Sequence, residues 1–173
     1  MGHGSWLVSL FRVFITILHI IQNKGLSDDT DEILRLQGVS WWMRSAISLA
    51  TVTLYVKHYK DESGVEHIEI DQRLTGGIPG TFENRTLDWT PREHNDSLFG
   101  PVVGKSRRVK LDEIDNEFLR KGWLQDTEQH GAINAYAQSD TPKSGTTWTA
   151  DQVQFRLNPS PTLIVSRRFG DLN

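Results

Sequence analysis

The sequence predicts a mainly β protein, an antiparallel β-barrel formed by one domain with a helix–turn–helix lid near its start. From residue 50 onward, apolar residues recur with a period of two, which is typical of half-buried strands. Turn-forming clusters of Gly, Pro, Asp and Ser separate these segments at regular spacing, as in all-β barrels. The length of 173 residues suits one domain that can enclose a core or a ligand cavity.

The composition excludes several classes of protein. Hydrophobic residues make up 37% and charged residues 24% of the chain, with a formal net charge of −3. These values exclude a disordered protein, a coiled coil and a polytopic membrane protein, and argue against a nucleic-acid partner. The sequence contains no cysteine, which excludes disulfides, thiolate zinc sites and thiol nucleophiles. We therefore expect a cytoplasmic protein.

The amino-terminal residues 6–21 (WLVSLFRVFITILHII) are the most apolar stretch of the chain. Their length falls short of the roughly 20 residues of a membrane-spanning helix, and Arg12 and His19 interrupt them. They are a buried first element, a membrane anchor or a signal peptide, and membrane association through residues 6–21 is the minority expectation. We divide the chain into an apolar segment, residues 1–22, and a single β-barrel domain with an atypical carboxyl-terminal end, residues 23–173.

A pair of short helices is predicted over residues 26–47. Acidic Asp31 and Glu32 suit a first helical turn, since carboxylates stabilise the amino-terminal end of a helix. Gly38 ends the first helix, and the second runs through Ala46.

Strands are predicted over the segments 50–57, 65–73, 81–90, 98–109, 132–138, 146–157 and 163–165. Residues 91–97 are predicted to form a turn. Residues 112–121 are predicted to form one inserted helix, because leading acidic residues, closing basic residues and Gly122 mark its two ends.

Residues 31–47 (DEILRLQGVSWWMRSAI) resemble the helix–turn–helix lid of cytosolic fatty-acid-binding proteins, in which an aliphatic helix meets Gly-Val, an aromatic residue and an Arg. The strands that follow are similar to small fungal lipocalin-like proteins, and the resemblance covers residues 26–153. It implies a barrel that holds a small molecule, within fungal secondary-metabolite biosynthesis. The chain departs from the pattern at residues 6–21 and after residue 153.

The densest group of polar residues lies on the predicted third strand and the turn after it. The alternation of a strand places Glu83 and Arg85 on one face with Leu87 and Trp89. If that face is buried, the two charges either satisfy each other or bind a polar group of a ligand. In the opposite register both charges face solvent. His94 could transfer protons near neutral pH, so Glu83, Arg85 and His94 are the candidate catalytic residues.

The candidate ligand-binding residues are cationic or aromatic side chains, either of the lid or of a cavity wall: Arg44, Tyr55, Trp89, Arg107 and Trp148. A guanidinium is suited to a carboxylate or enolate, and aromatic rings suit an apolar cavity wall, although the same rings suit a core. Neither His58 nor His67 belongs to a convincing ligand set, so no metal and no cofactor are predicted.

The sequence favours a protein that binds a hydrophobic small molecule in a barrel cavity. The alternative is a cofactor-free cyclase or isomerase that acts on a polyketide or terpenoid intermediate. Its cavity would hold the substrate in a reactive shape, while Glu83, Arg85 or His94 would supply acid, base or oxyanion assistance. A third possibility is a membrane-tethered remnant of a barrel.

Overall fold

The computed structural model describes residues 16–22, 30–121, 123, 125–156 and 163–170. Two antiparallel sheets make up most of this part of the chain. The first sheet contains, in order, β1 (Thr16–Ile21), β2 (Val52–Lys60), β3 (Glu66–Leu74) and β4 (Thr81–Thr86). The second contains, in order, β5 (Arg92–Asp96), β6 (Gly100–Val109), β7 (Ala132–Ser139), β8 (Thr149–Arg156) and β9 (Leu163–Gly170). The chain is therefore mainly β, as predicted.

In the described residues, five short α-helices and the 3-10 helix Leu111–Glu113 connect the strands; the α-helices are α1 (Asp31–Leu36), α2 (Trp41–Leu49), α3 (Glu117–Arg120), α4 (Gln125–His130) and α5 (Thr141–Ser144). The predicted helical pair is present as α1 and α2. In the turn between them, Gly38 has a φ of +82°, and a β-carbon there would lie 2.9 Å from the side chain of Thr146. This close approach brings the helical pair against the loop that precedes β8.

The two sheets pack through one face of each. Val56, Ile68 and Ile70 of the first sheet form a buried cluster with Ile133 of the second sheet. We call the faces that carry these residues the inner faces of the two sheets. The opposite face of the second sheet has its own core, formed with the connection between β6 and β7: Val109, Ile114, Leu119, Ala132 and Val153.

A polar contact also joins the inner faces. The Nε of Arg108 on β6 donates to Oε2 of Glu66 on β3 at 3.0 Å, and a second guanidinium nitrogen of Arg108 contacts the other carboxylate oxygen. The carboxylate also lies 2.6 Å from the Nε2 of His58 on β2. Burial raises the pKa of Glu66, but the hydrogen bonds with His58 and Arg108 outweigh it and lower this pKa to about 2.

The chain crosses from the first sheet to the second directly after β4. The backbone N–H of Leu87 still donates to the backbone carbonyl of Glu66 on β3 at 2.9 Å. The backbone N–H of Trp89 instead donates to the backbone carbonyl of Ser106 on β6 at 2.8 Å. Asp88 and Arg107 form an isolated bridge there. In the described part of the chain, β1 to β4 form one hydrogen-bonded sheet and β5 to β9 form another. No closed barrel is therefore found there.

Three predicted elements need correction. The predicted third strand ends at Thr86, because the chain after this residue leaves the first sheet and hydrogen-bonds with β6 at Trp89. The predicted turn at 91–97 contains β5, whose Arg92–Asp96 backbone pairs with β6. The predicted helix at 112–121 is broken, since Ile114 adopts an extended backbone and is buried in the core beside Val109. Tertiary packing overrides the helical pattern at that residue.

The described part of the amino-terminal apolar segment is strand β1, which pairs with β2 from Thr16 to Ile21. Residues 6–15 lie outside the described residues, as do 26–29 at the predicted start of the first helix. Within the described part, none of the helices combines the length and the apolar character needed to cross a bilayer.

The Glu66–Arg108 contact generates a prediction about stability. We expect Glu66→Gln to lower the free energy of unfolding by about 2–3 kcal/mol, because it breaks charged hydrogen bonds and leaves Arg108 without its partner. Denaturant unfolding at pH 7 measures this change. The control is Glu32→Gln, which breaks an exposed pair with Arg35 and should cost about 0.5 kcal/mol or less.

The effect of Glu66→Gln should also depend on pH. A carboxylate with a lowered pKa stabilises the fold fully above its ordinary value of 4.5, and this contribution is lost as the pH falls toward 2. The difference between wild type and variant should therefore shrink over that range. A difference that stays constant from pH 7 to pH 2 would contradict the assignment.

Candidate functional site

Glu83 and Arg85 lie on the inner face of the first sheet. Arg85 is the cross-strand partner of Ile68, and Glu83 is the partner of Ile70. Direct partners in an antiparallel pair point to the same side of the sheet, so both charged residues share the face of the buried isoleucines.

The two charges satisfy each other in part. The Nε of Arg85 donates to Oε2 of Glu83 at 2.6 Å, and a second guanidinium nitrogen of Arg85 contacts the same carboxylate oxygen. The side chain of Arg85 is only 11% exposed, and its Nη1 is buried without a hydrogen-bond partner among the described residues. A buried donor without a partner is rare and costs about 1–3 kcal/mol, so it is suited to meet an acceptor from outside the protein.

Small residues line the inner face of the second sheet. Ile133 of β7 lies on this face. The other residues that β6, β7 and β8 contribute to the same face include five with short side chains: Gly104, Ser106, Ala135, Ala137 and Ala150. Sequence reasoning did not select these residues. The signal that could have found them is the period-two pattern of alanines in β7 (AINAYAQS). Short side chains leave room between two packed sheets.

Trp148, which directly precedes β8, continues this inner face. Its carbonyl accepts from the backbone N–H of Ser139 at 3.1 Å, which extends the pairing of β7 with β8. The indole is 2% exposed and packs edge-on against Phe99 with 6.3 Å between the ring centroids. Its Nε1, like Nη1 of Arg85, is buried without a hydrogen-bond partner in the described structure.

Trp89 and Arg107 meet on the other face of the second sheet, in a group that we call the cation–indole cluster: Trp89, Lys105, Arg107, Asn134, Tyr136 and Asp151. The guanidinium of Arg107 lies 4.5 Å and the Nζ of Lys105 lies 4.3 Å from the centre of the Trp89 ring. Lys105 and Asp151 both pair with Tyr136 across the strands. Trp89 has a φ of 61°, the only positive φ of a non-glycine residue in the described chain.

Asp151 is the acidic member of this cluster. Its Oδ1 accepts from Nδ2 of Asn134 at 2.7 Å. Burial raises the pKa of Asp151 above its ordinary value, although the hydrogen bond from Asn134 and the charge of Arg107 both lower it. Sequence reasoning missed Asp151, because nothing in the sequence around it predicts that β7 brings Asn134 within hydrogen-bond distance and that the charge of Arg107 on β6 acts on it.

The remaining candidate residues lie in separate surroundings. His94 is on the edge strand β5 and 49% exposed, with its Nε2 4.0 Å from Asp96. Tyr55 is on the outer face of β2, where Arg73 lies 4.4 Å from its ring centre.

Arg44 joins the two helices of the predicted lid. Its Nε donates to Asp31 at 2.8 Å, and its Nη1 donates to the Val39 carbonyl at 2.9 Å. In the part of the chain that the structure describes, no group of three or more His, Asp and Glu side chains is arranged to hold a metal ion.

Comparison with known proteins identifies two relatives. The chain is 33% identical over 108 residues to the pericyclase pydY of Acremonium sp, in an alignment that covers 58% of the chain and 56% of that protein. It is 30% identical over 111 residues to the protein named Probable pericyclase scpY of Mollisia scopiformis, covering 62% and 58%. The matched part is thus a little over half the length of each relative. No protein-family profile matches the chain, and no solved structure matches it.

The geometry around Asp151 generates a prediction about its titration. We expect Arg107→Met to raise the pKa of Asp151 further, because it removes a positive charge that favours the carboxylate. Carbon-detected NMR of the side-chain carboxyl groups measures the midpoint directly. Arg73→Met on the first sheet is the control and should leave this midpoint unchanged. If both variants gave the wild-type midpoint, the proposed proximity of Arg107 to Asp151 would be wrong.

Proposed function

We propose that the chain is a pericyclase, an enzyme that accelerates a pericyclic reaction of a hydrophobic intermediate in secondary-metabolite biosynthesis. The observation that carries the proposal is the buried Nη1 donor of Arg85 on the inner face. The similarity to two proteins named pericyclases supports it. This similarity favours the cyclase alternative of the sequence analysis over a protein that only binds its ligand.

The chemistry of a pericyclic reaction suits such a face. Its bonds form and break together in one cyclic transition state, so the enzyme needs neither a nucleophile nor a proton carrier. It must fold a flexible chain so that the reacting atoms meet, which removes much of the entropic cost of the reaction. It can also place a donor where negative charge grows in the transition state.

The pairing of Arg85 with Glu83 indicates which substrate group the donor meets. Glu83 balances the positive charge of Arg85, so the free Nη1–H acts as a hydrogen-bond donor rather than as an uncompensated cation. Such a donor suits a neutral carbonyl oxygen. A hydrogen bond to that carbonyl withdraws electrons from a conjugated alkene, which lowers the barrier for its addition to an electron-rich partner. Trp148 offers a second donor on the facing sheet.

We propose that the inner faces of the two sheets surround the substrate as a lipocalin-like barrel does, with α1 and α2 as the lid. Two contacts support this arrangement. Gly38, in the turn of the helical pair, approaches Thr146, and Thr146 lies two residues from Trp148. Arg44 fixes α2 to Asp31 of α1, so the pair can move as one unit over the inner face.

The test is a cyclisation assay with the substrate that the pericyclase pydY of Acremonium sp converts. Chromatography coupled to mass spectrometry follows the loss of the linear compound and the appearance of a cyclic isomer. We expect conversion faster than the spontaneous reaction. Arg85→Met should lower kcat/KM by about 100-fold, which is typical for the loss of one preorganised donor.

Arg73→Met is the matched control, since Arg73 lies on the neighbouring strand and also pairs with a carboxylate, Asp71, but is 63% exposed. It should keep the wild-type rate. A protein that only carries the compound would bind it without speeding its conversion. That result, or a folded Arg85→Met variant with full activity, would reject the proposal.

A further inference from the structure

The cation–indole cluster lies on the face of the second sheet opposite to the proposed substrate face. Lys105, Tyr136 and Asp151 are cross-strand neighbours on β6, β7 and β8, and Arg107 and Asn134 are neighbours one pair further along. The inner-face residues Ser106 and Ala135 alternate with them along β6 and β7. The cluster is therefore separate from the site assigned to Arg85.

The two cations of the cluster differ from comparable cations elsewhere in the described chain. On the first sheet, Arg73 and Lys57 also lie over aromatic rings, but Arg73 pairs with Asp71 at 2.7 Å and Lys57 pairs with Glu69 at 3.4 Å.

Among the described residues, no carboxylate lies within ion-pair distance of Lys105 or Arg107. The Nε of Arg107 is also buried without a hydrogen-bond partner within the described structure. The two cations contact one ring and repel each other, and Asp151 offsets this repulsion only in part, through its charge interaction with Arg107. A bound anion would relieve the remaining repulsion.

The backbone at Trp89 is the second observation. A positive φ is unfavourable for a bulky side chain and costs about 1–3 kcal/mol, and such strain is concentrated at ligand-binding and catalytic residues. Here it places the indole against both cations, with the Nζ of Lys105 4.3 Å and the guanidinium of Arg107 4.5 Å from the ring centre. A guanidinium that contacts an aromatic ring can still pair through its edge with a planar acid group.

We propose that the cation–indole cluster is a binding site for a small organic carboxylate, held by Arg107 and Lys105 beside Trp89. A carboxylate matches the planar fork of a guanidinium, and Asn134 and Asp151 border the site with polar groups. Asp151 adds one negative charge, which favours a singly charged ligand over a phosphate dianion.

The experiment is a titration of the folded protein with sodium benzoate at constant ionic strength. The indole N–H resonance of Trp89, assigned with a Trp89→Phe variant, reports binding in NMR spectra. We expect a saturable shift in wild type and binding weaker by about tenfold or more in Arg107→Met. Lys57→Met and Arg73→Met, which remove the paired cations over Tyr59 and Tyr55, should bind benzoate as wild type does.

Inorganic phosphate, titrated in the same way, tests the class of anion. Binding of phosphate as tight as that of benzoate would overturn the assignment to carboxylates. A Trp89 shift that does not saturate, or one that is equal in wild type and Arg107→Met, would overturn the site itself. Because binding is read without turnover, either result leaves the cyclisation assay as an independent test of the proposed function.

Discussion

The contact between Glu66 and Arg108 fixes how the two sheets face each other. It joins residues 42 positions apart in the sequence and lies beside the apolar cluster of Ile68 and Ile133. Apolar packing alone is non-directional, so it would tolerate a sliding of one sheet over the other. A carboxylate held by a guanidinium fork from one side and His58 from the other permits one register. The position of Arg85 relative to the second sheet depends on that register.

The crossing after β4 divides the polar residues between two faces. Glu83 and Arg85 stay with β3 and point inward, whereas Asp88 bridges to Arg107 and Trp89 turns onto the opposite face of the second sheet. The positive φ of Trp89 produces this division within a few residues. A regular strand through residue 89 would have put the indole beside Arg85, and the two proposed sites would have been one.

Much of the fold could be predicted from local patterns, because a period of two gives strands and an acidic start with a glycine stop gives α1. The same alternation placed Glu83 and Arg85 on one face but left open whether that face is buried or faces solvent. The strand after residue 91 could not be predicted, since β5 gains its backbone partners from β6. Nor could the break at Ile114, where burial against Val109 overrides helix propensity. The backbone at Trp89 has no signal in the sequence, because bulky residues rarely adopt it.

In the two proposals, two kinds of cation serve two kinds of chemistry on one scaffold. Arg85 is neutralised by Glu83 and nearly buried, so its free N–H can strengthen a hydrogen bond to a neutral oxygen as charge develops there. Lys105 and Arg107 have no carboxylate within ion-pair distance in the described structure, which suits an anion that stays charged while bound. A cationic donor that acts in a transition state must have its charge balanced and must be shielded from water, because a cation without a partner would bind water or a counterion instead. In the proposed arrangement, Lys105 and Arg107 lie on the opposite face of the second sheet from Arg85, so an anion bound by them would stay away from the inner face.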